Sequence, residues 1–353
     1  MKNSSAANVK YKYLAHRMDA FREVLREKKL DGYMLTNLAD QYYFTDYKSE
    51  GYYGLVGQKG AWLFLPNLLF EQGKAVTRGF TCLQGKFFEE LDAVIAKNKM
   101  KKMGFDPNQL TFAFGEALKK KGFVPVPGLI TPLRAIKDEF ELKRLRKANH
   151  LAALGAEFVR KRLKPGRREK DLAADLARFF SVEGDGIAFD LIIAGGPNAA
   201  FPHHITSEYK LKNGEGVVCD IGATIEGYRS DLTRTFPLGR MPTAFTKVFE
   251  IVHRSQKAGM DHIKPGVTAG SVDDVCRQII DKSGYGKTFV HSTGHGVGID
   301  IHEHPRVGPG APEKLETNMV VTVEPGIYLP GRLGVRIEDT LLVTPDGSEI
   351  LTK

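Results

Sequence analysis

Leu14, Met18, Phe21 and Leu25 recur at helical spacing, so the chain is expected to open with an amphipathic helix over about residues 13–29 that stops before Asp31-Gly32. Short apolar runs follow, such as Tyr33-Met34-Leu35 and Trp62-Leu63-Phe64-Leu65, interleaved with helical stretches such as Phe87 to Lys97. This alternation predicts a small α/β domain. Pro125, Pro127-Gly128 and Thr131-Pro132 form a cluster of backbone breakers, which places a domain boundary near residue 133. A long helical pattern then runs from about Lys137 toward Arg162, with Phe140, Leu142, Leu145 and Leu151-Ala152 at apolar positions.

The second part repeats itself. Lys164-Pro165-Gly166 returns as Lys264-Pro265-Gly266, and each copy lies between two helix-like stretches. The following stretches, Lys170 to Phe180 and Ser271 to Lys282, lead to Gly-x-Gly turns at Gly184 and Gly284. Both copies continue with a His-bearing Gly-rich stretch, a β-rich run ending in an acid, and a second strand carrying another acid. Val217-Val218-Cys219-Asp220 matches Val320-Val321-Thr322-Val323-Glu324, and Asp231-Leu232-Thr233 matches Glu338-Asp339-Thr340. The tripeptide alone is a common helix breaker, but the shared continuation predicts an internal duplication. Two such halves facing each other bring two pairs of acids to one pseudo-twofold axis.

Composition narrows the class. The 353 residues favour two domains, and 51 basic against 42 acidic residues leave an excess that belongs to the front. Residues 1–150 hold 26 basic and 16 acidic side chains, but the lysines are scattered and Lys119-Lys120-Lys121 is the only run of three. A solvated surface is expected rather than a nucleic-acid partner. Cys82, Cys219 and Cys276 are odd in number and far apart, which suits a reducing compartment and suggests neither a disulfide framework nor a thiolate metal site. Met1 to Ala7 lacks an apolar signal core and no segment approaches a membrane span, so a cytoplasmic protein without a membrane partner is expected.

Asp220 ends an apolar run and is expected on a buried strand, where a carboxylate needs a counter-charge. Asp231 follows past turns at Gly222 and Gly227, so a hairpin is expected to set the two aspartates side by side on neighbouring strands. Glu324 repeats the situation after Met319 to Val323, and Glu338 is expected to share a strand face with Arg336. His295, between Gly294 and Gly296, is a candidate ligand. His203, His291 and His302 are candidates for substrate contact or proton transfer. Four carboxylates with one imidazole suit Mn²⁺, Co²⁺, Fe²⁺ or Zn²⁺. Two ions about 3.5–4 Å apart, bridged by carboxylates, would lower the pKa of a shared water and point to hydrolysis. Nucleotide-binding glycine motifs and Ser or Cys nucleophile motifs are absent from the sequence.

In this order, Asp220, Asp231, His295, Glu324 and Glu338 resemble the metal-ligand set of the pita-bread metallopeptidases. The Xaa-Pro branch, aminopeptidase P and prolidase, is the nearest match. The supporting motifs are Gly196 to His203, Ser230 to Phe236, Gly294 to Gly298, Val323 to Tyr328 and Gly334 to Asp339. The resemblance implies an α/β (α+β) protein with a small N-terminal creatinase-like domain, residues 1–133, and a C-terminal pita-bread catalytic domain with pseudo-twofold duplication, residues 134–353. It implies that Asp220 holds one metal, that His295 and Glu324 hold the other, and that Asp231 and Glu338 bridge them, with Glu324 also handling the proton. His203, His291 and His302 would steady the substrate and the oxyanion, and Arg336 would organise the proline-side pocket. Two divalent ions per subunit, Mn²⁺ first, and a homodimer acting on short proline-containing peptides follow from the same resemblance.

Cleavage of the Xaa-Pro bond at the N-terminus of peptides, as by aminopeptidase P, is the leading expectation, and Xaa-Pro dipeptidase (prolidase) activity is the alternative. The intact ligand set argues against a metal-free creatinase and against a binding module that has lost its metals. A methionine aminopeptidase would need neither the front domain nor the Arg336 motif, and a small-molecule hydrolase or lyase remains a further alternative.

Overall fold

The computed structural model describes the backbone of residues 2–353 and the side chains of residues 10–353; Met1, at the head of the stretch read for a signal core, lies outside the described residues. The chain divides into two compact units, residues 1–134 and 135–353.

The first unit opens with α1 (Lys2–Glu27), longer at its start than the apolar spacing predicts. Leu14, Met18, Phe21 and Leu25 are all buried, which is the stripe their spacing implied. After α1 come β1 (Gly32–Leu35), α2 (Leu38–Thr45), β2 (Tyr53–Gly57), β3 (Ala61–Leu65), α3 (Asn67–Val76) and β4 (Thr81–Gln84). Next are α4 (Phe87–Asn98), β5 (Met103–Phe105), α5 (Phe112–Lys119), β6 (Phe123–Pro125) and α6 (Thr131–Ala135). The six strands form one mixed sheet in the order β4-β3-β2-β1-β5-β6.

The second unit begins with α7 (Glu139–Arg160), started by a capping box between Asp138 and Glu141. Its first half continues with α8 (Glu169–Glu183), β7 (Ile192–Gly195), β8 (Glu215–Ile221), the short hairpin β9 (Thr224–Ile225) and β10 (Tyr228–Arg229), and β11 (Leu232–Leu238). The second half has α9 (Thr243–His262), α10 (Ala269–Lys282), β12 (Gly294–Gly296), β13 (Glu303–Val307), β14 (Val320–Val323), β15 (Gly326–Leu329), β16 (Leu333–Arg336), β17 (Asp339–Thr344) and β18 (Gly347–Ile350).

The sheets are ordered β11-β8-β7 and β13-β12-β14-β17-β18, with β15 and β16 paired separately. Matching β7, β8 and β11 to β12, β14 and β17 superposes the order and the antiparallel sense of the two halves. The repeated tripeptides do the same work in each. Gly166 (φ +82°) and Gly266 (φ +89°) sit in the left-handed region that glycine tolerates. Their N–H groups donate to the Leu211 and Leu315 carbonyls, both at 2.8 Å. Each half has its own apolar core, around Phe180, Val217 and Cys219 in the first and around Val272, Cys276 and Val321 in the second. Among the described residues no helix is long and apolar enough to cross a membrane.

Candidate active site

The strand ends deliver the acids to one cavity of about 440 Å³ in the second unit. Asp220 lies near the end of β8, while Asp231 comes immediately before β11. In the second half, Glu324 comes immediately after β14 and Glu338 immediately before β17. His295 is the middle residue of β12. All five line the cavity, together with His203, His291, His302 and Arg336, so every residue singled out from the sequence is brought to one place.

Two local expectations are corrected. Asp220 pairs in register with Thr233 rather than with Asp231, because the β9–β10 hairpin intervenes and Asp231 enters the cavity from the loop before β11. Arg336 and Glu338 do not share a strand: the first ends β16 and the second precedes β17, where the chain passes from one sheet to another.

Four carboxylates here face one buried guanidinium, and Arg336 Nη2 donates to Asp220 Oδ2 at 2.6 Å. Thr233 Oγ1 donates to Glu338 Oε2 at 2.7 Å. The other oxygens of these two acids, Asp220 Oδ1 and Glu338 Oε1, are buried without a hydrogen-bond partner. Burial, with the charges of Glu338, Asp220 and Glu324, pushes the Asp231 carboxyl well above the usual carboxylate range. Burial, with Glu324 and Asp220, does the same to Glu338. Glu324 is pushed up to about 8 by burial, against the opposing charge of Arg336. Such a set lacks positive charge.

The residues fit a divalent ion. Asp231, His295 and Glu338 each place a ligand atom within 4.8 Å of the others. Burial pushes the His295 imidazole down to about 4, so it is neutral in neutral solution. Its Nδ1 lies 3.0 Å from the Gly296 carbonyl and donates there, which leaves the Nε2 lone pair facing Glu324 and Asp231 at 3.4 and 3.5 Å. A backbone carbonyl that fixes the tautomer is the usual support of a metal-binding histidine.

The remaining candidates differ in freedom. His291 Nδ1 donates to the Ser292 carbonyl and its Nε2 meets the Tyr328 hydroxyl at 2.8 Å, so both ring nitrogens are engaged. Arg336 is committed as well, to Thr233, the Pro202 carbonyl, Tyr328 and Asp220. His203 and His302 face the cavity, and among the described residues neither ring makes a hydrogen bond. Tyr328 was not selected from the sequence although it closes the Val323 to Tyr328 motif, since nothing in that motif says where its hydroxyl points. Glu169 was also missed, because nothing local to its position shows which donors its carboxylate meets.

The comparisons with known proteins agree with this geometry. Residues 143–345 match the model of metallopeptidase family M24, and residues 17–136 match the Creatinase/Prolidase N-terminal domain. A curated Xaa-Pro dipeptidase of Pyrococcus horikoshii is 36% identical over 338 residues, 94% of this chain and 95% of the relative. The solved structure of an Xaa-Pro dipeptidase from Bacillus anthracis is similar with a TM-score of 0.93 and 34% identity, covering 96% of this chain and 98% of that one. An X-Pro aminopeptidase from Thermotoga maritima is similar at a TM-score of 0.89 and 29% identity, over 95% and 97% of the two chains. The chain belongs to metallopeptidase family M24, with a Creatinase/Prolidase N-terminal domain preceding a pita-bread metallopeptidase domain.

Proposed function

We propose that this metallopeptidase is an Xaa-Pro dipeptidase, hydrolysing the bond between an N-terminal residue and proline in a dipeptide. The observation that carries the chemistry is the set of four carboxylates, Asp231 and Glu338 buried and Asp220 and Glu324 half-buried, that lines a single cavity with one neutral imidazole. The sequence led with aminopeptidase P and kept prolidase as the alternative; the relatives described above at 36% and 34% identity are dipeptidases, which supports the alternative.

In this reading Asp220, Asp231, His295, Glu324 and Glu338 would hold two divalent ions, Asp220 serving one, His295 and Glu324 the other, with Asp231 and Glu338 shared. When bound, such ions would supply Lewis acidity and a water of lowered pKa; an oxygen-rich set with one imidazole suits Mn²⁺, Co²⁺, Zn²⁺ or Fe²⁺, of which the family resemblance favours Mn²⁺. Glu324 takes a proton from the attacking water and returns it to the proline nitrogen as the C–N bond breaks. His203 and His302, with free ring nitrogens, donate to the substrate carboxylate and to the oxygen on which charge develops. His291 and Arg336 act indirectly: His291 donates to the Ser292 carbonyl and accepts from the Tyr328 hydroxyl, and the Arg336 donors are spent on Thr233, Pro202, Tyr328 and Asp220, so Arg336 orients Asp220 and the pocket wall rather than gripping the substrate.

The test is hydrolysis by metal-stripped protein titrated with Mn²⁺, Co²⁺, Zn²⁺ or Fe²⁺, offered Xaa-Pro dipeptides, Xaa-Pro-Xaa tripeptides and a methionyl peptide. Metal-dependent cleavage of the dipeptides above the tripeptides is the expected result. A tripeptide preference restores the aminopeptidase reading. No cleavage with about two metals bound per chain points to a non-peptide substrate, and absence of metal binding points to a binding module.

A further inference from the structure

We infer that Glu169 is the positioning residue for His203: its buried carboxylate anchors the loop from Gly195 to Ser207 so that the His203 ring is held facing the cavity. The catalytic value of that placement rests on the dipeptidase reading above, whereas the placement itself does not.

Glu169 is the first residue of α8 and is completely buried. Its two oxygens accept five hydrogen bonds, all from this one loop. Oε1 accepts from Gly195 N at 2.8 Å and Asn198 Nδ2 at 3.0 Å. Oε2 accepts from His204 Nε2 at 2.9 Å, Ser207 N at 3.0 Å and Ser207 Oγ at 2.7 Å. A buried carboxylate is tolerated only when its lone pairs are met in this way, and the helix N-terminus adds a favourable field.

His203 itself has no such anchor. The residue before it is held through the Pro202 carbonyl, which accepts from Arg336 Nη1 at 3.3 Å, and the residue after it through the His204 ring on Glu169. The loop also packs closely on β16, since a Cβ added at Gly334 would collide with the Ala199 carbonyl oxygen. The orientation of His203 is thus inherited from its neighbours. The second half contains the parallel device: Asp273 on α10 accepts from Thr293 N and Oγ1 at 3.1 and 2.8 Å, and its partner Arg277 donates to the His291 carbonyl. Here a cation shares the task, while in the first half one carboxylate performs it.

A histidine acting on substrate must sit within hydrogen-bond reach, and a displacement of about 1 Å costs on the order of 10²-fold in rate. Glu169→Gln puts an NH₂ group against N–H or O–H donors whichever way the amide turns, and leaves the five metal-binding candidates untouched. In ring-¹³C-histidine spectra of the metal-free protein, with His203 assigned by its loss in His203→Ala, the His203 signal should move while that of His253 stays. An unmoved His203 signal in the folded variant overturns the inference. In the metal-loaded enzyme kcat/KM on an Xaa-Pro dipeptide should fall about 10²-fold at unchanged metal stoichiometry. In the His203→Ala background the same substitution should change it less than about 3-fold. Fully additive losses would overturn the inference, since a merely structural role does not depend on His203. If Glu169→Gln does not fold, Ser207→Ala, which removes one donor of the five, should show a smaller shift and the same non-additivity. A wild-type enzyme that cleaves no Xaa-Pro peptide removes the dipeptidase reading, and the spectra then decide the placement alone.

Discussion

In the first half of the catalytic unit the acids are aspartates, one inside the end of β8 and one just before β11; in the second they are glutamates, one just past β14 and one just before β17. Both halves use the same strand order, the same antiparallel sense and the same left-handed glycine between their helices. Only the second supplies the imidazole ligand candidate on its first strand, where the first half instead has β7 leading into the loop of His203. The difference teaches that the duplicated backbone decides where a side chain can enter the cavity, while the residue type at each entrance decides whether it serves as ligand, proton carrier or substrate contact.

The largest expected effect breaks the comparison at its matched positions. Asp231→Ala and Glu338→Ala, one from each half, should each reduce metal-dependent hydrolysis to background while far-UV circular dichroism stays native. Near-normal turnover in either variant would show that the halves do not share the ions.

Arg336 bonds to Asp220, Thr233 and Pro202 from the first half and to Tyr328 from its own. Arg336→Met is expected to destabilise the metal-free protein by about 3–5 kcal/mol, because the buried guanidinium is lost and Asp220, with only 15% of its side chain exposed, is left uncompensated. The loss should be smaller in the metal-loaded protein, where cations replace that charge. Denaturant unfolding of both forms measures it, and equal losses would contradict the role given to Asp220.

The pH dependence follows from Glu324. Its folded value of about 8 lies above the ordinary 4.5 because burial disfavours the charge. A raised value means that the fold favours the protonated form, so this stability is complete below the unfolded value and is lost as pH rises through about 8. Asp231 and Glu338 shift in the same direction. His291 and His295, both pushed down to about 4 by burial, oppose this slope only below their ordinary 6.5. Metal-free protein should therefore lose stability from pH 6.5 to 8, while Mn²⁺ affinity rises over the same window as protons leave the carboxyls. Metal-free stability that increases toward pH 8 would refute this assignment.

The smallest effect sharpens the likeness of the halves. Gly166→Ala and Gly266→Ala meet no atom within 4 Å of the added Cβ, so only the left-handed backbone resists them. Each should cost about 1–2 kcal/mol, and the two should agree within about 0.5 kcal/mol. Very different melting shifts would mean that the two turns are not equivalent.

Much of this was legible in the residues themselves. Helical spacing announced the buried stripe of Leu14, Met18, Phe21 and Leu25, and the apolar runs ending in Asp220 and Glu324 announced strands that end at a charged place. Periodicity and burial cost are local properties, and a sequence displays them directly. Partner choice is not local. The sequence singled out His203 but not the fate of its neighbour: the packing of α8 against that loop draws His204 onto Glu169 while His203 faces the cavity. The Tyr328 hydroxyl between His291 and Arg336, and the passage of the chain between sheets that separates Arg336 from Glu338, likewise arise when distant segments close on one another. By itself the sequence determined which residues must be buried with their charge and that they recur in two halves. The tertiary structure alone decided which donors meet which acceptors, because a hydrogen bond depends on a few tenths of an ångström between atoms that the chain brings together from a hundred residues apart.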